Sequence, residues 1–126
     1  MTITRIDLED LARKIRFTEK HADYLLITQD VIAAIEETSK AKIDDVKKLN
    51  KTIEALLHGP LKEHIPTKSK PAKIVAIIHA TRGIDSMILR LIRKQTKKNT
   101  IYRSANCNSN LARVLREHGV HITDNT

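Results

Sequence analysis

All three prolines of the chain, Pro60, Pro66 and Pro71, fall within one stretch of 12 residues. Proline fixes φ, removes a backbone donor and pushes the residue before it out of the helical region. No helix runs unbroken through such a stretch. Gly59 precedes it and Lys68-Ser69-Lys70 is embedded in it. The spacing predicts a linker over 59–71 that separates a helical part, residues 1–58, from a second part, residues 72–126.

Charge divides at the same place. Residues 1–70 hold 13 Lys and Arg against 12 Asp and Glu; residues 71–126 hold 10 against 3. Nearly all of the net charge of +8 therefore lies beyond the linker. A balanced mixture is an ordinary solvated surface, whereas a one-sided excess attracts polyanions. Nucleic acid is the expected partner. Aromatic residues are only Phe17, Tyr24 and Tyr102. Readers of single strands and RNA loops stack bases on several aromatics, so the composition favours a duplex, DNA ahead of double-stranded RNA. An acidic protein docking on the basic half, and an accessory subunit of a nucleic-acid enzyme, are the alternatives.

In the first part, helices are expected after Thr4, with Leu8, Leu11, Ala12 and Ile15 inward, and after Thr18. Stepping three and four residues from Leu25 gives Leu25, Thr28, Ile32, Ile35, Ser39, Lys42, Val46, Leu49, Ile53 and Leu56. That is a heptad seam with a polar break. It predicts one helix of about 38 residues in a coiled coil, or a hairpin bent near Ser39-Lys40. Leu25, Ile32, Ile35, Val46, Leu49, Ile53 and Leu56 are the expected dimer contacts. Self-association would stabilise a part too small to hold a large core alone.

In the second part, Ile74–Ala80 fits a strand or a short helix, and helix is preferred. A helix after Asp85 carries Met87, Ile88, Leu91 and Ile92 on one side, with Arg90, Arg93, Lys94, Lys97 and Lys98 beyond. Thr100–Ser104 is a short helix or extended segment. Asn106-Cys107-Asn108-Ser109 is a polar turn, with Asn108 or Ser109 capping a last helix. Gly119 stops that helix, and Val120–Thr123 alternates as a strand would.

Met87-Ile88-Leu89-Arg90-Leu91-Ile92-Arg93 and the phrase Asn110–Ile122 carry a resemblance. Residues 86–123 resemble the helix-turn-helix domains, some winged, of small phage and plasmid DNA-binding proteins. The resemblance implies a mainly α protein: helical dimerisation part, then helix-turn-helix, with a short wing strand. It implies a dimeric duplex-DNA-binding factor, a repressor or accessory protein, reading half-sites about one helical turn apart. Asn106, Asn108, Ser109, Asn110 and Arg113 are the expected base readers, since Asn pairs with adenine and Arg with guanine. Arg93, Lys94, Lys97, Lys98, Arg103 and Arg116 are the expected phosphate contacts.

Catalysis, cofactor and metal are not expected. His21, His58, His64, His79, His118 and His121 form no i,i+4 pair around a glutamate, and Cys107 is the only cysteine. The acids of the basic half are too few for a two-metal nuclease without help from the other half. No apolar run approaches a membrane span. The start, Met1-Thr2-Ile3-Thr4-Arg5, lacks a signal-peptide core, and the expected compartment is the cytoplasm.

Overall fold

The computed structural model describes residues 3–65, 73–97 and 99–122. Its element order is β1 (Thr4–Asp7), α1 (Leu8–Ile15), β2 (Tyr24–Ile27), β3 (Val31–Thr38), α2 (Ile43–His58), a 3-10 turn (Lys62–His64), β4 (Lys73–Ala80), α3 (Ser86–Gln95), β5 (Thr100–Ala105) and α4 (Asn108–Glu117). The strands form one sheet in chain order, β1-β2-β3-β4-β5. β1–β2 and β2–β3 are antiparallel; β3–β4 and β4–β5 are parallel.

This replaces the mainly α, two-part architecture. β3 and β4, on either side of the expected linker, pair from Val31↔Lys73 to Thr38↔Ala80. A single sheet therefore runs through both halves of the chain. Pro66, Pro71, Lys68, Ser69 and Lys70 lie outside the described residues, as do Lys98 and Thr123. Pro60 follows Gly59, whose N–H closes α2 on the Ala55 carbonyl at 3.1 Å.

The expected helix after Thr18 is instead the β2–β3 hairpin. Tyr24-Leu25-Leu26-Ile27 and Val31-Ile32-Ala33-Ala34-Ile35 are buried at every position. Strands covered on both faces read as continuous apolar runs, and the β-branched residues suit the pleat. Thr28 makes the turn: its Oγ1 accepts the Val31 N–H at 3.0 Å. Ile74–Ala80 is likewise strand, not helix, and Thr100–Ser104 takes the extended option.

No coiled coil exists. Leu25, Ile32 and Ile35 belong to strands, and Val46, Leu49, Ile53 and Leu56 form the inner stripe of α2. All seven are buried within the chain's own core. The helix near the N-terminus starts at Leu8 rather than after Thr4, because Asp7 caps it by accepting the Asp10 N–H at 3.1 Å.

The two faces of the sheet are covered differently. Leu25, Ile32, Ala34, Ile74, Ala76 and Ile78 lie in one core with residues of α1, α2 and α3. Leu26, Val31, Ala33, Ile35, Val75 and Ile77 lie in a second core with Leu111, Val114 and Leu115 of α4 and with Val120. α3 and α4, the expected helix-turn-helix pair, thus sit on opposite faces with β5 between them. Val120 packs into the second core and Val120–Ile122 form no wing strand. The Gly119 turn is left-handed, φ +91°, a conformation that suits glycine.

Candidate functional site

In open α/β sheets, ligands bind beyond the carboxyl ends of the parallel strands. Here that end gathers the close of β3 and β4, the start of α2 and, because β2 runs the other way, the residues entering β2. Asp23 is locked there. Its N–H donates to the Ile35 carbonyl at 3.0 Å, and its carboxylate accepts the Glu37 N–H at 2.6 Å.

Glu36 continues the side-chain alternation of Ile32 and Ala34 and so points under α2. It is buried, 2% exposed. Its Oε2 lies 3.3 Å from Lys48 Nζ; its Oε1 is buried with no hydrogen-bond partner. Asp45, also buried, stands one helical turn before Lys48 and accepts the Lys42 N–H at 2.8 Å, closing the helix start. Burial pushes the Glu36 carboxyl up to about 8, with the Asp23 charge adding to it and Lys48 offsetting only part. The neighbouring Asp45 side chain acts in the same upward direction. Burial pulls the Lys48 ammonium down, but Glu36 outweighs that and holds it above the usual lysine range. Around neutrality Glu36 is therefore a protonated acid beside an ammonium. Well above pH 8 it is a buried ion pair.

Glu37 emerges on the other face. Its Oε2 meets Nδ1 of the buried His79 at 3.2 Å, and His79 Nε2 is buried without a partner. Tyr24 lies nearby with the Arg5 guanidinium 3.8 Å above its ring. Burial and then the Glu37 charge push the Tyr24 hydroxyl up to about 12.

Among the described residues no three His, Cys, Asp or Glu side chains converge tightly enough to hold a metal by themselves. Glu36 and Asp45 offer two carboxyls. Magnesium is commonly held by one or two carboxylates, with waters and substrate phosphate oxygens completing its shell.

The expected base readers share this end of the sheet; Asn110 and Arg113 have side-chain partners there, and Asn106, Asn108 and Ser109 are exposed. The Asn106 N–H donates to Asn110 Oδ1 at 3.0 Å, and the Asn110 N–H reaches Cys107 Sγ at 3.4 Å. Cys107, not Asn108 or Ser109, caps α4. Arg113 is exposed, 3.9 Å from Glu117. Arg103 pairs with Glu117 at 3.0 Å and touches His118 Nε2 at 2.9 Å. Lys73 faces the other ring nitrogen at 3.2 Å. Burial, then these two cations, hold His118 below the usual histidine range. Arg93, Lys94 and Lys97 are exposed at the opposite end of the sheet, and Arg116 is exposed on α4. The structure therefore brings the asparagines together and separates them from the lysines.

Asp23, Glu36, Glu37, Asp45, Lys48 and His79 were not indicated by sequence reasoning. The available signal was the pair Glu36-Glu37 directly after the uninterrupted apolar run Val31–Ile35. Acids placed there close a buried strand.

No family model, no curated protein and no solved structure matches this chain. Among the described residues no helix is long and apolar enough to cross a membrane.

Proposed function

We propose that this domain acts on nucleic acid, with the buried Glu36-Asp45-Lys48 cluster as a divalent-cation-assisted phosphodiester-hydrolysing centre. The observation that carries the reading is the buried Glu36 carboxyl, one oxygen unpartnered, facing Asp45 and Lys48 at the carboxyl end of the sheet. The help that the basic half lacks comes from the other half: Asp23, Glu36 and Asp45 all precede the prolines. Glu36, once deprotonated, and Asp45 would hold the cation. A bound cation would supply an activated water at this point. Water adds to phosphorus, the bond to the leaving oxygen breaks, and that oxygen takes a proton. Lys48 opposes the negative charge that grows on the phosphate. A chain of net charge +8 attracts the polyanion that contains such bonds.

The test incubates end-labelled duplex and single-stranded DNA and RNA with the protein and Mg2+ or Mn2+. Cleavage is expected to fall about a hundredfold or more in Glu36→Gln, while nucleic-acid binding persists. Binding without cleavage in the wild type, under every cation, overturns hydrolysis.

That outcome would leave a second reading, duplex-DNA binding alone. It is favoured by the +7 carried by residues 71–126. A homodimer rested on the heptad seam, which the core has absorbed, so it forms no part of either reading.

A further inference from the structure

The cations of the basic half are not equivalent once their partners are known. On α4, Arg113 meets Glu117, and Glu117 also holds Arg103. On α3, Arg90, Arg93 and Lys94 are exposed, as is Lys97 in the turn beyond, and none has an ion-pair partner among the described residues. Between Asp85 and Glu117 the sequence contains no acid at all. Positions 90, 93 and 94 follow the 3,1 spacing that lines one side of a helix. Ile88 and Ile92 anchor the opposite side in the core.

A helix dipole favours cations in the last turn, which accounts for Arg93 and Lys94. It does not account for Arg90 in the middle of the helix or Lys97 past its end. From Arg90 to Lys94 the stripe spans about 6 Å at the helical rise, and Lys97 extends it past the helix end. A duplex presents one phosphate charge per roughly 1.7 Å of axis. The stripe therefore matches two or three phosphates of one strand. α3 also lies on the same sheet face as α2, which carries Asp45 and Lys48. It begins at the end of the sheet where Glu36 and Asp45 lie and runs away from it.

We infer that α3, not the expected recognition helix α4, is the docking ridge for the phosphate backbone of a duplex, laying it along the sheet face that α2 and α3 cover. This rests on the nucleic-acid reading proposed above. It replaces base reading from α4 with backbone tracking from α3, so duplex affinity comes with strong salt dependence and little sequence preference.

The test titrates short DNA and RNA duplexes of the same sequence at several salt concentrations against the full chain. Three proteins are compared: the wild type, Arg90→Gln/Arg93→Gln/Lys94→Gln, and a charge-matched control, Lys14→Gln/Arg113→Gln/Arg116→Gln. All six side chains are exposed, and thermal unfolding checks that each protein is folded. The α3 variant is expected to lower the log–log salt slope by about two to three units and the control by less than one. DNA and RNA duplexes are expected to respond alike. A wild type that binds no duplex at low salt overturns the nucleic-acid reading itself. A wild type that binds, with an α3 variant that keeps its slope or a control that loses as much, overturns α3 as the ridge and leaves that reading standing.

Discussion

Glu36 and Glu37 are chain neighbours with identical side chains, yet the pleat sends one to each face and their surroundings share almost nothing. On the face covered by three helices, Glu36 is buried beneath α2 beside Lys48. On the face covered by α4, Glu37 keeps about half of its side chain in solvent, and the buried member of its pair is His79. The Glu36 proton affinity is raised first by its burial and then by the Asp23 charge. A carboxyl under α2 keeps its proton to about pH 8. The contrast also explains why only the Glu36 side is assigned the chemistry: a buried acid paired with a cation can exchange its proton for a metal ion.

The largest effect that sharpens this contrast is on stability against pH. The folded-state pKa of Glu36 is raised, so the folded chain binds a proton that the unfolded chain has lost. Stability is therefore expected to fall as pH rises from about 4.5 to about 8, by about tenfold in the folding constant per pH unit. It should level off above that window. Glu36→Gln is expected to remove the decline, making the variant the more stable protein at pH 9, whereas Glu37→Gln should leave it in place. Urea unfolding of the three proteins at a series of pH values measures this. A decline that survives in Glu36→Gln would break the comparison.

Next in size is the loss of the partner. Lys48→Met strands the Glu36 charge, so the cost is expected only where Glu36 is ionised. Above pH 8 it should be roughly 1–3 kcal/mol, below that of a fully enclosed pair because Lys48 is partly solvated. Near pH 5 the variant should match the wild type. The same denaturation series reads both ends, and an equal loss at the two pH values would mean that Lys48 acts through packing alone.

The smallest effect is expected on the other face. His79→Phe removes an imidazole nitrogen that has no partner, and the released Glu37 can turn to water. Stability should change by about 1 kcal/mol or less, read as a shift in unfolding midpoint. A much larger loss would show that His79 Nε2 has an essential partner and that the two faces are more alike than their coverage suggests.

The helices were the legible part of this chain. Val46, Leu49, Ile53 and Leu56 repeat with helical spacing and end at His58-Gly59-Pro60, which matches α2 closely. The same stepping failed over 24–35 for a physical reason: a segment apolar at every position satisfies any period, so it matches a helix as well as a strand. In Ile74–Ala80 the β-branched residues pointed to strand, and the preference for a helix came from the architecture already assumed. Helices α3 and α4 were found near their true positions, but nothing in their own residues shows that β5 separates them. The buried polar cluster was hidden for a related reason. Asp23, Glu36, Asp45 and Lys48 come together only through strand pairing and the return of α2 across β3, neither of which leaves a local pattern.

The sheet's strand order has a consequence for how the chain is made. Every strand pairs with its immediate predecessor, so none must be inserted between two already in place. Synthesis delivers the N-terminal elements first, and the β1–β2–β3 meander needs only short closures to form. β4 then finds an open parallel edge waiting at β3, and β5 finds the next at β4. Glu36 and Asp45 both belong to elements that precede β4 and β5 in the chain, so synthesis delivers them before the last two strands.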